Sequence, residues 1–256
     1  MSDLTITSRQ NERLKALRKL HDRKHRDREK LFCAEGEDML VEALRWGVCP
    51  QTVFYDPDQL DVHTSILRDV PPEAELVAVQ GDVLRASGSL GSGSRLIGVW
   101  PETSAAPLDA DHVVVYLHEL SDPGNVGSIL RSALALVPSV VVLSPGSADP
   151  FGPKAVRASM GAIFGQPIAR ASFDDLRAQL SDVRLVGLAP RAGKELRQVD
   201  VGPPVILCLG AERRGLSDEV LAACDEVCHV PLQAGGAESL NVAMAATLCL
   251  YEAAIR

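Results

Sequence analysis

An α/β fold in two domains is what this sequence predicts, and three observations carry it. Short apolar runs rich in Val, Ile and Leu alternate with amphipathic stretches along the chain, the pattern of strands and helices in turn. The 256 residues are 46% hydrophobic and 23% charged, enough to bury a sizeable core and too apolar for disorder. Pro101 to Ala110 is rich in Pro and Ala without periodicity and reads as a linker. The expected domains are therefore 1–104 and 105–256. With 5 Phe, 3 Tyr and 2 Trp, the core must be mainly aliphatic.

In the first half, Ser8 to Lys30 reads as a helix, with Ser8 as N-cap and Leu14, Leu17 and Leu20 on one face. A strand at Leu31 to Ala34, a helix from Asp38 to Trp46 and a strand at Thr52 to Tyr55 follow. Next come a helix at Asp58 to Arg68, a strand at Glu75 to Val79, a short helix at Asp82 to Ala86 and a strand at Leu96 to Trp100. Gly88 to Ser94 is a Gly/Ser-rich loop. In the second half, His112 to Leu117, Ser139 to Leu143, Arg184 to Leu188, Val205 to Leu209 and Glu226 to Val230 are continuous apolar runs. Runs of that kind suit a parallel sheet covered on both faces. Helical stretches separate them, and Glu238 to Ile255 reads as a long terminal helix.

Composition narrows the function. The longest apolar stretch, Val242 to Tyr251, is far short of the roughly 20 residues of a membrane helix, and no apolar run follows Met1 to suggest a signal peptide. Six cysteines without a C-x-x-C pair, several of them in apolar segments, fit a reduced, cytoplasmic protein. The net charge of −8 hides an asymmetry: Arg9 to Lys30 holds ten Lys or Arg against four acids, +6, which leaves −14 on the remainder. A cationic segment on an acidic body points to a polyanion gripped at one end. Ion pairs within a solvated helix, Glu12 with Lys15 and Asp22 with Arg26, are the plainer reading.

Three loops follow predicted strands at their carboxyl ends, the edge at which open α/β sheets bind ligands. The first is Asp122-Pro-Gly-Asn-Val-Gly-Ser-Ile-Leu-Arg131, the second Gly210-Ala-Glu-Arg-Arg-Gly-Leu216, and the third Pro231 to Asn241. None carries G-x-G-x-x-G or G-K-[ST], so neither a dinucleotide-binding loop nor a P-loop is indicated. Arg131 stands on an otherwise apolar helix and calls for an acidic or phosphate partner. Glu212 is open to reading as a surface acid facing Arg213 or Arg214. Ser239 and Asn241 open the last helix, where capping accounts for one of them. Cys224, Cys228 and His229 do not converge as zinc ligands should, His118 is a base without a nameable partner, and G-x-S-x-G is absent.

Taken in order, the loops resemble the SpoU (TrmH-like) branch of the SPOUT RNA methyltransferases. The motif N-x-G-x-x-x-R-[ST] reads as Asn125, Gly127, Arg131 and Ser132; G-x-E-x-x-G-L-S as Gly210, Glu212, Gly215, Leu216 and Ser217; and P…E-S-L-N-V as Pro231 with Glu238 to Val242. Arg157-Ala-Ser-Met-Gly161 is similar to a further family segment. Ser8-Arg-Gln-Asn11, Leu14-Lys15, Leu17 and Phe32-x-x-Glu35-Gly36 resemble the family's attached substrate-binding domain, a small α/β unit of ribosomal-protein type. The chain departs from the family near Gly88 to Gly93 and in Gln233-Ala-Gly-Gly.

The resemblance implies a C-terminal SPOUT domain with a deep trefoil knot, a homodimer with interfacial active sites, and S-adenosyl-L-methionine as cofactor. It implies transfer of a methyl group to a ribose 2′-hydroxyl in RNA, most of all 23S rRNA. Alternatives are a tRNA enzyme, an antibiotic-resistance rRNA enzyme or a non-catalytic RNA-binding knot protein. It places Asn125, Arg131, Glu212, Ser239 and Asn241 in catalysis and Leu188, Gly210, Val230 and Leu240 against the cofactor. Arg9, Arg13, Lys15, Lys19, Arg23, Lys24 and Arg157 are the expected RNA contacts, with no metal and no membrane. Arg131 would be the general base; because arginine ordinarily titrates above about 12, oxyanion stabilisation or a phosphate clamp stands beside that role. Glu212 would accept the proton or orient the arginine.

Overall fold

The computed structural model describes residues 5–89, 93–103, 106–108 and 111–256. Its elements, in chain order, are α1 (Glu12–Lys19), α2 (Arg23–Glu29), β1 (Leu31–Glu35), α3 (Glu37–Arg45), β2 (Thr52–Tyr55), β3 (Glu75–Ala78), α4 (Gly81–Arg85) and β4 (Leu96–Pro101). There follow β5 (Val113–His118), α5 (Pro123–Leu136), β6 (Ser139–Leu143), α6 (Pro153–Ser159), β7 (Ile168–Arg170), α7 (Phe173–Gln179), β8 (Arg184–Leu188) and β9 (Lys194–Glu195). The chain closes with β10 (Val205–Gly210), α8 (Asp218–Ala223), β11 (Glu226–His229) and α9 (Val242–Ala254). Two compact units result, Met1–Thr103 with Asp149–Gly165, and Ser104–Ala148 with Gln166–Arg256. The expected break between residues 104 and 105 lies outside the described residues.

The first unit holds a mixed sheet in the order β1-β4-β2-β3, with β4 antiparallel to both neighbours and β2 parallel to β3. Leu14, Leu17 and Leu20 are buried against Phe54, Val77 and Val99, as their helical spacing predicts. The expected continuous helix from Ser8 to Lys30 is instead two helices. Asn11, not Ser8, caps α1 by accepting from Arg13 N at 2.9 Å, while Ser8 Oγ accepts from Gln10 N. Asp22 caps α2 by accepting from Lys24 N at 2.9 Å, so it is not the partner of Arg26. An Asn or Asp side chain that takes a backbone N–H starts a new helix at that point. The same competition explains why Asp58 to Arg68 forms turns and a short 3₁₀ segment, Ile66–Asp69. Asp56 Oδ1 takes Asp58 N, and Asp61 Oδ1 takes His63 N and Thr64 N.

Asp149–Gly165 joins this unit although it lies far along the chain. Phe151 and Phe164 pack on Phe32 with ring centroids 5.2 and 5.8 Å away, and Phe164 meets Trp100 at 5.0 Å. Beside them is an ion pair, Arg26 with Asp149, whose side chains are 4% and 7% exposed. Arg26 Nε and Nη2 both donate to Asp149 Oδ2 at 3.0 and 2.8 Å, and Nη1 donates to the Leu20 carbonyl at 2.7 Å. One of the ten cations of the basic segment is therefore structural.

The second unit is a seven-stranded parallel sheet in the order β7-β6-β5-β10-β8-β11-β9. β5, β6 and β10 are central and almost wholly buried, which accounts for their unbroken apolar runs. The short edge strands β7 and β9 carry too few apolar residues to be legible. From β5 the chain runs outward through β6 and β7, then crosses to build β8, β10 and β11 on the other side. The gap between the carboxyl ends of β5 and β10 is a topological switch point. The expected loop Gly88 to Ser94 and linker Pro101 to Ala110 fall in part outside the described residues, 90–92, 104, 105, 109 and 110. Ser89 N and Oγ donate to Glu35 Oε1 at 2.6 and 2.8 Å, and Ala106 N donates to Ile168 O at 2.9 Å.

Removing one member of a buried ion pair leaves the other charged and unpaired, at a cost of about 3–5 kcal/mol. Asp149→Asn should lower unfolding free energy by that order in urea titration. Arg26→Met with Asp149→Leu together should restore most of it.

Candidate active site

The switch point is closed by one side chain. Glu212 Oε1 accepts from Asp122 N at 3.1 Å and from Asn125 Nδ2 at 2.9 Å; Oε2 accepts from Ser121 N at 3.2 Å and Ser121 Oγ at 3.1 Å. Asn125 Oδ1 in turn accepts from Asn241 Nδ2 at 2.9 Å, and Asn241 Oδ1 accepts from Ala243 N at 2.8 Å as the N-cap of α9. Each amide accepts through its oxygen and donates through its nitrogen, so both orientations are fixed: a flipped Asn241 would turn its NH₂ onto the N–H groups of Ala243 and Met244. The three loops are thus joined as Glu212–Asn125–Asn241. Glu212 makes this bridge rather than pairing with Arg213 or Arg214.

Burial opposes the charge of Glu212, but the donors from Asn125, Asp122 and Ser121 outweigh it and hold the carboxyl at about 2 against an ordinary 4.5. A carboxylate so stabilised is a weak proton acceptor. It works as a latch between loops and makes no contact with Arg131.

Asp122 starts α5, accepting from Gly124 N at 2.6 Å with Pro123 in the first turn, the position where a missing N–H costs nothing. From that start Asn125 and Ser132 fall on one helical face, seven residues apart. Both bond to α9: Asn125 to Asn241, and Ser132 Oγ with Thr247 Oγ1 at 2.7 Å. α5 and α9 therefore run parallel, pinned at two points. Thr247 and Ser121 were not singled out from the sequence. Neither stands in a motif, and only the fold brings them to their partners. Arg131 is exposed and has no hydrogen bond or ion pair among the described residues. Six residues on from Asn125, it is turned about 120° away around the helix.

Alongside the latch is a cleft of about 240 Å³ at the carboxyl ends of β8, β10 and β11. Its lining includes all four residues expected against the cofactor, Leu188, Gly210, Val230 and Leu240, together with Glu212 and Ser239. Leu209, Leu232, Val242 and Ala245 add apolar wall, with Ala189, Pro190 and Ala211 beside them. Gly210 is required by a close approach: a Cβ there would stand 2.0 Å from Gly215 C and 2.1 Å from Leu216 N. The terminal helix begins at Val242, not Glu238, so Ser239 and Leu240 are loop residues at the cleft. Asn125, Asn241 and Arg131 do not line it.

The expected RNA contacts lie elsewhere. Arg13 pairs with Glu75 and Lys15 with Glu12, each at 2.7 Å, and Arg23 is 3.6 Å from Asp27. Arg9, Lys19, Lys24 and Arg157 are exposed. Arg13 and Lys19, with His25 and Arg28, rim a cleft of about 330 Å³ floored by Leu17, Leu20, Phe54 and Val99. Among the described residues no three His, Cys, Asp or Glu are grouped to hold a metal ion, and no helix is long and apolar enough to cross a membrane.

Residues 112–251 match the SpoU rRNA Methylase family. The chain belongs to that family. Residues 11–89 match the MRM3-like substrate binding domain. Among SpoU relatives, the 23S rRNA (guanosine(2553)-2′-O)-methyltransferase RlmP of Bacillus subtilis (strain 168) is 30% identical over 96% of this chain and 97% of its own length. The 23S rRNA (uridine(2479)-2′-O)-methyltransferase of Streptomyces viridochromogenes is 31% identical, with 91% and 86% covered. The crystal structure of an AdoMet-bound rRNA methyltransferase from Sinorhizobium meliloti superposes with a TM-score of 0.84 at 30% identity, covering 97% of this chain and 96% of that one.

Because its folded value is lowered, Glu212 contributes stability that is complete above about 4.5 and fades as pH falls toward 2. The stability difference between native chain and Glu212→Gln should be flat at neutral pH and shrink across that acid window in pH-dependent urea melts. A difference independent of pH would remove the latch.

Proposed function

We propose that this SpoU protein transfers a methyl group from S-adenosylmethionine to a ribose 2′-hydroxyl of RNA, with 23S rRNA the substrate. The observation that carries this reading is the cleft at β8, β10 and β11 set against the Glu212–Asn125–Asn241 chain. The cleft suits the cofactor: Leu188, Val230 and Leu240 offer apolar faces, and Gly210 lets the loop of Glu212 close back on the end of β10 as one wall. Bound there, S-adenosylmethionine supplies a methyl already electrophilic on sulfonium. The chain's own task is to hold the hydroxyl in line and manage its proton. Arg131 presents a fork of donors and no acceptor, so it clamps the adjacent phosphate and stabilises charge developing on the ribose oxygen. Asn125 and Asn241 hold together the loops beside the cleft, and Ser239, on its lining, meets the substrate.

Arg131 faces away from its own latch, and the reading therefore includes a homodimer in which it serves the partner's cleft. Met244, Leu248 and Tyr251 on α9, with Ile255 at its C-cap, are exposed at helical spacing, opposite the buried face of Ala246, Cys249 and Ala253. A second copy covers this stripe. The reading also includes a knotted second domain, 105–256, with 1–104 as the RNA-binding domain, in a cytoplasmic protein whose six cysteines are free. In support, two 23S rRNA 2′-O-methyltransferases match nearly the whole chain.

With methyl-labelled S-adenosylmethionine and 23S rRNA, the native protein should label the RNA and Arg131→Ala should fall to background. Calorimetry should give both the same affinity for S-adenosylhomocysteine. No labelling by native protein overturns the function, and undiminished labelling by the variant removes Arg131. Light scattering should find the native chain dimeric at micromolar concentration, and Leu248→Asp with Tyr251→Asp monomeric and inactive.

A further inference from the structure

Of the two tryptophans, Trp100 is fully buried, whereas Trp46, at the end of α3, is 43% exposed. An exposed indole forgoes one of the largest burial gains available to any side chain. Its seat is specific. A Cβ on Gly165 would lie 2.3 and 2.5 Å from Trp46 Cε2 and Cδ2, the ring-fusion atoms, and 2.7 Å from the adjoining Cζ2. The indole thus rests on bare backbone at Gly165. One helical turn earlier on each side, a Cβ on Gly161 would lie 2.6 Å from Glu42 Cβ and Cγ. Two glycines spaced by four residues receive two α3 residues spaced by four, which holds the ring still and leaves its other side to solvent.

The surroundings are charged and small in apolar area. Arg45 is 71% exposed and meets Glu42 at 3.5 Å. Arg157 is exposed, and its carbonyl accepts from Met160 N at 3.2 Å. Met160 is 54% exposed in the left-handed conformation, φ 48°, at the head of the same turn. A stable protein partner would need roughly 800 Å² on each side, far more than one indole and one thioether offer. A pre-ordered aromatic ring on a unit that also exposes the guanidinium groups of Arg45 on α3 and Arg157 on α6 fits an unpaired nucleobase with its flanking phosphates.

We propose that Trp46, seated on Gly165, is a stacking platform for an unpaired base of the RNA substrate, with Arg45 and Arg157 holding the adjoining phosphates. The inference rests on the RNA-methyltransferase reading, but it assigns a contact outside the methyl-transfer site and outside the basic segment Arg9 to Lys30. Trp46 fixes which part of an RNA is accepted, through an unpaired nucleotide rather than a duplex.

The test uses the full-length chain and a short oligoadenylate. Tryptophan emission reports stacking, because Trp100 is sealed in the core; anisotropy of labelled oligoadenylate reports binding independently. Saturable quenching of the exposed component is expected, and inorganic polyphosphate should compete without quenching. Trp46→Phe should lose the quenching yet bind within about threefold of native, since Phe still stacks, while Trp46→Ala should weaken binding about 5- to 100-fold. Methyl transfer to rRNA by Trp46→Ala should show a raised KM at unchanged kcat. Binding without quenching, or native affinity in Trp46→Ala, overturns the platform and leaves RNA methylation standing. Absence of any RNA binding overturns both. A change in oligomeric mass in Trp46→Ala makes the patch a protein contact and also overturns the platform.

Discussion

A carboxylate that loses part of its water must be repaid in hydrogen bonds, and Glu212 finds its donors across the switch point of the sheet. Three N–H groups and one hydroxyl from the loop after β5 converge on a side chain from the loop after β10. That requirement sets the rest of the site. It fixes Asn125 through its amide nitrogen, and Asn125 fixes Asn241, which can then cap α9 with its remaining oxygen. The loop that Glu212 stands on folds back so tightly that position 210 admits only glycine, and the same loop forms one wall of the cleft. The motifs of the family are therefore one hydrogen-bonded object, and a change at Glu212 reaches the start of the last helix.

Division of labour follows from this geometry. Asn125 and Asn241, joined to Glu212, are each tied on both sides of the amide and suited to holding shape. Arg131 is a motif residue without a partner among the described residues, and an unpaired guanidinium suits a phosphate. The first unit repeats the pattern on its own terms. Arg26 is absorbed into a buried pair with Asp149, while Arg9, Lys19 and Lys24 stay exposed. A basic run is thus divided between a member that the fold consumes and members left open to solvent.

Much of this was legible before any coordinates. The parallel sheet could be read from runs such as Val113 to Leu117 because central strands need apolar residues on both faces, and β2 emerged with the expected ends, Thr52 and Tyr55. Leu188, Gly210, Val230 and Leu240 met in one cleft because they follow or end strands whose carboxyl edges the fold aligns. Local side-chain chemistry was less legible. Asn11, Asp22 and Asp61 each took backbone N–H groups and moved or dissolved predicted helices. Asp149–Gly165 could not be assigned from pattern, since its place depends on Phe151, Phe164 and Asp149 finding partners more than a hundred residues earlier. The role of Glu212 needed distances: the sequence left proton transfer and orientation of Arg131 both open, and the donors around it favour neither.

The destination of the methyl group can be read directly from the RNA. Alkaline cleavage of RNA requires a free 2′-hydroxyl to attack the neighbouring phosphate, so a ribose-methylated position leaves a gap in the hydrolysis ladder. Ribosomal RNA treated with the protein and S-adenosylmethionine should show an enzyme-dependent gap in 23S rRNA that is absent with Arg131→Ala. Incorporation of methyl label into an RNA whose ladder remains continuous would place the methyl on a base and contradict the account.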